Sequence, residues 1–278
     1  MSKILVIGDV MDDIIVVTQD QIRTNTDTTA EISHTFGGSA GNIASWAANN
    51  GASVCFVGCV NEHDALRIKN QFEQYSVQVN LQHDKHATGT LVSIVEGANR
   101  TMLTDRGANK FLDFEALSNH FLSEYDFVFI SGYALFGRSV SEIQNFISRV
   151  TSLNAKVLVD PGSVGFINDY GKEDFIKALH GIDILLPNEQ EFEILGTSFP
   201  VVIVTKGNQG VDLYVDGQLT ESFEVEKLDA IDPTGAGDSF SGALVASLAR
   251  GDSYHNAVTA GIKSAAKAVM TIGARPQL

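Results

Sequence analysis

Apolar positions in this chain fall into short unbroken runs separated by longer stretches of helical spacing. Residues 3–7, 54–57, 127–130, 156–159, 182–186 and 201–205 are rich in Val, Ile, Leu and Phe. Runs of four or five such residues are too short for core helices and too continuous for strands wet on one side, so they predict strands covered on both faces. Between them, apolar residues recur at helical spacing near 41–50, 62–74, 139–150, 172–179 and 188–195. The alternation predicts an α/β fold with a mostly parallel central sheet and helices on both faces. In such sheets ligands bind beyond the carboxyl ends of the strands.

Two stretches break the rhythm. Residues 28–35, T-T-A-E-I-S-H-T, alternate and place Ala30, Ile32 and His34 on one face. Residues 88–95 read as another strand that turns through Gly97, Ala98 and Asn99 and returns at 100–103. With residues 12–17 they predict a small separate sheet, giving one domain over 1–278 with lid segments near 12–35 and 88–104. Apolar residues such as Ile32, Val92 and Ile94 on that sheet need cover, from substrate, from a second copy of the chain, or from both.

Composition narrows the function classes. A chain of 278 residues that is 44% hydrophobic can build a substantial core. Its net charge of −15 argues against nucleic acid or an anionic membrane as partner. An anionic ligand would therefore need local help from backbone dipoles, basic side chains or a metal ion. Cys55 and Cys59 lie on one face of an apparent strand and read as reduced core residues. The first strand begins at once, without a basic leader, and no apolar run approaches membrane-spanning length, which points to the cytoplasm.

Chemistry concentrates in D-P-T-G-A-G-D-S-F, residues 232–240. Downstream, Phe240, Ala243, Leu244 and Leu248 recur at helical spacing until Gly251, so Gly235, Ala236 and Gly237 open a helix. Their N–H groups would point out of its N-terminus, where the dipole favours an anion and glycine lets a phosphate approach the backbone. Asp238 on the rim of that hole would repel phosphate as a mere anchor, but it suits a base that takes a proton from an attacking hydroxyl. Taken alone, G-A-G-D is equally a helix-entry turn followed by a first-turn acid. The first strand is followed by G-D-V-M-D-D rather than G-x-G-x-x-G, which disfavours a dinucleotide-binding oxidoreductase, and no G-x-x-x-x-G-K-[ST] occurs.

The complete string resembles the C-terminal signature of the PfkB/ribokinase family of carbohydrate and nucleoside kinases, D-T-x-G-A-G-D, with Pro233 where Thr is more usual. The resemblance extends from residue 4 to about 274 and implies a ribokinase-like fold whose lid is a small β-sheet. It makes Asp238 the catalytic base and the amides of Gly235, Ala236 and Gly237 the anion hole. Asp13, five residues after Gly8, then grips acceptor hydroxyls, as a carboxylate can. Gly37, Gly38 and Asn42 in F-G-G-S-A-G-N correspond to the family's sugar-binding Gly-Gly and Asn; Ser39 stands where several members have Lys, which disfavours a phosphorylated sugar. Asn188 and Glu191 match an N-x-x-E motif that orients waters around Mg²⁺. Thr205, Lys206, Gly207 and Gly210 resemble the loop beneath the nucleotide. Asp232 and the turn 268–274 resemble a site for a monovalent cation such as K⁺. Arg106, in T-D-R-G-A-N, either touches substrate or pairs with Asp105, and Tyr133 offers a ring that can stack on a base.

The resemblance implies an ATP- and Mg²⁺-dependent kinase that phosphorylates a hydroxymethyl group of a ribose-type sugar. A nucleoside, pseudouridine first, is the alternative acceptor, and a non-catalytic sugar or nucleotide sensor is the alternative outside the enzymes. The implied assembly is a homodimer formed through the lid.

Overall fold

The structure, a computed structural model, describes residues 2–96 and 99–277. Its strands are β1 (Lys3–Ile7), β2 (Met11–Thr18), β3 (Ala30–Gly37), β4 (Ser53–Asn61), β5 (Gln78–Asp84), β6 (Gly89–Glu96), β7 (Asn99–Asp105), β8 (Phe127–Ser131), β9 (Lys156–Asp160), β10 (Ile184–Leu185), β11 (Val201–Thr205), β12 (Val211–Val215) and β13 (Gln218–Phe223). The helices are α1 (Ser39–Asn49), α2 (Ala65–Gln74), α3 (Asn119–Leu122), α4 (Val140–Ser152), α5 (Val164–Tyr170), α6 (Lys172–Ala178), α7 (Glu189–Leu195), α8 (Ala236–Ala249) and α9 (Tyr254–Ala268). Among the described residues no helix is long and apolar enough to cross a membrane.

The large sheet runs β13-β12-β11-β10-β9-β8-β1-β4-β5. Every pairing from β11 to β5 is parallel, and β12 and β13 add an antiparallel edge. Burial on both faces explains the unbroken apolar runs. Along β1, Ile4 and Val6 join one core with α1, α2, α8 and α9, while Leu5 and Ile7 join the other with α4, α5 and α6. Strand β1 lies between β8 and β4, so chain order reverses there, and a crevice opens beyond the carboxyl ends of β1 and β8. Cys55 and Cys59 are free thiols buried in the second of these cores.

Four strands, in the order β3-β2-β6-β7, form a separate small sheet that is the lid. Its strands cover the stretches that alternation predicts, but the expected turn at Gly97, Ala98 and Asn99 has its first two residues outside the described ones. The hairpin β12–β13 and helix α9 go beyond the sequence expectation. Asp216 and Gly217, both at positive φ (48° and 78°), form the hairpin turn, and D-G between apolar runs is a local signal for it. The strand expected over 182–186 shrinks to Ile184–Leu185, because only these two residues pair with both β9 and β11.

Candidate active site

Two helix N-termini converge beyond the sheet's carboxyl edge. Helix α1 begins after Gly38, which sits at φ 87° and lacks a capping side chain. Asp9, just past β1, supplies the cap instead: its carboxylate accepts from the Ser39 and Ala40 amides at 2.9 and 3.3 Å and from Ser131 Oγ at 3.0 Å. A side chain on Gly38 would collide with this strap, its Cβ lying 2.7 Å from the Asp9 carbonyl. Asp12 is also spent structurally, in a two-pronged pair with Arg67 at 2.7 and 2.8 Å. The acids of G-D-V-M-D-D thus point to different tasks.

Helix α8 is buried on nearly every side, packed between α1 and α9, which fixes its entry rigidly. Gly235 caps it in the left-handed region at φ 75°, and a Cβ there would lie 2.6 Å from Ala274 Cα. The Ala236 amide reaches back to the Pro233 carbonyl at 3.3 Å, whereas among the described residues no protein acceptor meets the Gly235 and Gly237 amides. The expected three-amide hole therefore has two open members, because the turn uses the third.

Asp238 stands in the first turn of α8 and is held by α1. One carboxylate oxygen accepts from Ser39 Oγ at 2.9 Å and the other from Asn42 Nδ2 at 2.8 Å. Burial pushes its carboxyl up to about 6, against the pull of the Asn42 and Ser39 hydrogen bonds. Asn42 is itself buried, and its amide oxygen accepts from Arg275 Nε at 3.2 Å. Arg275 also donates to the Gly37 carbonyl at 3.3 Å and lies over the Phe72 ring. Burial lowers its guanidinium to about 10. Both ends of the Asn42 side chain are thus engaged within the chain.

A cleft of about 170 Å³ opens between these groups, lined among others by Ser39, Tyr133, Asp160, Glu191, Gly237 and Asp238. Among the described residues no lysine or arginine lines it. Burial, then the neighbouring Glu191 and Asp238, hold the Asp160 carboxyl well above its usual range. Glu191 is also raised by burial, opposed by its hydrogen bonds with Asn188. Those bonds form a capping box for α7, each amide donating to the other residue's side chain at 2.9 Å. Three carboxyls raised by burial, one of them also by the other two, fit a divalent cation, although no three acids stand close enough to chelate one directly among the described residues.

Of the remaining sequence-predicted residues, Tyr133, Asn188 and Thr205 line the cleft. Tyr133 donates its hydroxyl to the Gly162 carbonyl at 3.2 Å. Asp13 and Gly37 pack at the root of the lid, so tightly that a Cβ on Gly37 would lie 2.1 Å from the Asp13 carboxylate. Gly207 and Gly210 bound the turn between β11 and β12, where Lys206 pairs with Asp212 at 2.7 Å. The Asp232 carboxylate accepts from Thr234 and from the Gly273 amide, tying the helix-entry loop to the C-terminal turn. Arg106 does not pair with Asp105; it donates to the carbonyls of Tyr133 and Phe136 at 2.6 and 3.0 Å, while Asp105 meets Lys110 and the Gly107 amide.

Sequence reasoning missed Asp160 and Arg275. Asp160 carried a signal, an acid at the carboxyl end of a strand followed by Pro and Gly. Arg275 carried none, since an isolated arginine near the C-terminus looks like solvated surface.

The family model for pfkB family carbohydrate kinases matches residues 1–278. The chain is similar to an adenosine kinase of Saccharomyces cerevisiae, 25% identical over 269 residues, covering 85% of this chain and 78% of the relative. It is likewise similar to a ribokinase of Haemophilus influenzae, 24% identical over 270 residues, covering 87% and 84% of the two chains. An E. coli protein provisionally designated ribokinase II, solved in complex with ATP and Mg²⁺, superposes with a TM-score of 0.84 at 20% identity over 99% of this chain and 94% of its own.

Proposed function

Because the chain belongs to the pfkB family of carbohydrate kinases, we propose that it transfers the γ-phosphoryl group of ATP to a hydroxymethyl group of a small ribose-type sugar. The observation that carries this reading is the setting of Asp238. Its carboxyl, raised to about 6, is ionised at neutral pH yet far more basic than an exposed aspartate. It stands beside two open amides at a helix N-terminus, where the transferring phosphoryl group would sit. Asp238 takes the proton from the attacking hydroxyl. Ser39 and Asn42 hold its two oxygens in place, and Arg275 fixes the orientation of the Asn42 amide. The Gly235 and Gly237 amides stabilise charge on the phosphoryl oxygens.

Asp13, Gly37 and Gly38 form the acceptor side, beneath the lid, with Asn42 buried behind them. Tyr133 bounds it from the loop after β8, and Arg106, which follows β7, braces that loop through the Tyr133 and Phe136 carbonyls. Asn188, Thr205, Lys206, Gly207 and Gly210 form the nucleotide side. Glu191, with Asp160 beside it, would hold Mg²⁺ through water, and Asp232 with carbonyls of the turn 268–274 would hold K⁺. Bound Mg²⁺ neutralises charge on the nucleotide phosphates. The cleft of about 170 Å³ is smaller than the ~300–1,000 Å³ of ordinary small-molecule sites, so acceptor and nucleotide extend from it toward the lid and the β11–β12 turn.

One observation favours a nucleoside acceptor instead. Tyr133 lines the cleft and meets Phe136 and Phe166 edge to face, which presents an aromatic wall to a base. ADP release from ATP across a panel of sugars and nucleosides decides between the two. Turnover with ribose-type sugars supports the first reading, turnover confined to nucleosides the second, and ATP binding without turnover on any acceptor would leave a sensor.

A further inference from the structure

A cavity of about 500 Å³, larger than the cleft, lies on the other side of the loop that follows β8. The two share no lining residue, yet the same loop walls both: Tyr133 faces the cleft, while Phe136 and Arg138 face the cavity. Arg106 and Arg138 are its cations. Arg106 donates to the Tyr133 and Phe136 carbonyls, and Arg138 donates to the carbonyls of Ala134 and Leu112 while lying 4.1 Å above the Phe114 ring. These bonds hold both guanidiniums in place and leave further N–H groups on each, since a guanidinium carries five.

Neutral carbonyls satisfy donors but do not balance charge. Among the described residues neither guanidinium has a carboxylate within ion-pair distance, whereas Arg23, Arg67, Arg149 and Arg250 each do. Burial lowers the proton affinity of both cations, against the more distant pull of Glu142 and Asp113 on Arg138 and of Asp9 on Arg106. Two part-buried positive groups that face one cavity with no carboxylate in contact, only the exposed Asp169 and Asp174 at the rim, favour an anion between them. In a chain of net charge −15, they are also an exception that general surface composition does not explain. The N-terminus of α4 reaches the same wall at Ser139 and Val140, although its capping box already engages the Ser139 and Glu142 amides. Phe136 and Phe166, stacked with centroids 5.0 Å apart, give the cavity an apolar face. Asp169 and Asp174 are exposed at its rim.

We propose that this cavity binds the carboxylate or phosphate group of a small organic ligand, the anion held between Arg106 and Arg138 and the ligand's flat or apolar body against Phe136 and Phe166. Such an anion has two sources: the acidic far end of an acceptor that reaches round the Tyr133 loop, or a separate small acid. Binding is read without turnover, so the outcome does not depend on the phosphotransfer reading.

The test is calorimetric titration with phenyl phosphate and with citrate, in the presence of a saturating non-hydrolysable ATP analogue that occupies the phosphate position of the cleft. Wild type is expected to bind, and Arg138→Gln to weaken binding by at least ~10-fold, the loss of charge-assisted hydrogen bonds. Asp174→Asn removes an exposed rim charge without touching the core and should tighten binding severalfold. Steady-state kinetics then distinguish the sources: competition against the acceptor identifies an acidic acceptor tail, and non-competitive inhibition a separate ligand. No binding to wild type overturns the proposal. So does affinity unmoved by both substitutions, or by Asp174→Asn alone where Arg138→Gln does not fold.

Discussion

Asp238 concentrates the chemistry at the scale of single residues. Its carboxyl is pushed up to about 6 because burial outweighs two hydrogen bonds, so the proposed base is lost as pH falls through that value and fully present above about 7. The expected profile of kcat/KM for the acceptor is an acidic limb centred near 6. Asp238→Asn should cost at least ~10²-fold in turnover, remove that limb and leave ATP affinity intact, which titration calorimetry checks. Arg275 is a positioning residue behind Asn42, and its charge lowers the Asp238 carboxyl. Arg275→Met should move the limb upward by on the order of 1 pH unit, as expected when a nearby opposite charge is lost, and Arg275→Lys should restore most of the original position. A profile unmoved in Arg275→Met would reduce Arg275 to a packing role.

Helix entry separates two glycines at the scale of elements. Gly235 and Gly237 look alike in G-A-G-D but differ in what surrounds them. A Cβ on Gly235 meets the backbone of Ala274 at 2.6 Å, whereas one on Gly237 meets nothing within 4 Å. Gly235→Ala should therefore destabilise the fold by about 1–3 kcal/mol, since it adds a clash to a left-handed backbone. Gly237→Ala should leave thermal stability unchanged or slightly raised, because alanine favours a helix by up to ~1 kcal/mol over glycine. The same methyl would stand where the proposed phosphate approaches, so KM for ATP should rise or kcat fall. Normal kinetics in a stable Gly237→Ala protein would move the phosphate away from this amide.

The lid matters at the scale of the whole molecule. Strand register puts Ile14, Val16, Ile32, Val92, Ile94 and Leu103 on one face across all four strands, with Ile32 61% and Leu103 56% exposed. Asp13 belongs to the opposite face. We propose that the apolar face is the homodimer contact and that the Asp13 face closes over the acceptor, which excludes water from the phosphoryl group. Light scattering at micromolar concentration should give a dimer that Val92→Glu converts to monomer. Saturating acceptor and nucleotide should slow proteolysis of residues 88–104, and a lid cut equally fast with and without ligands would rule out closure.

The amino-acid sequence by itself determined the parallel sheet, the lid strands and the helix that carries Asp238, because each depends on local periodicity or on glycine at a fixed place. Strands buried on both faces must be continuously apolar, and a helix that receives phosphate at its N-terminus needs small residues there. Only the tertiary structure decided what the charged residues do. Asp9, Asp12 and Asp13 are neighbours in the chain, yet one caps α1, one pairs with Arg67 and one lies at the root of the lid. Asp160 and Glu191 share one cleft with Asp238 only because the end of β9 and the first turns of α7 and α8 meet there. Asn42, a sugar ligand by the family resemblance, also donates to Asp238 and accepts from Arg275, brought from the far end of the chain. A carboxylate, amide or guanidinium bonds with equal ease to solvent, backbone or ligand, so its partner is set by long-range packing that no local pattern records.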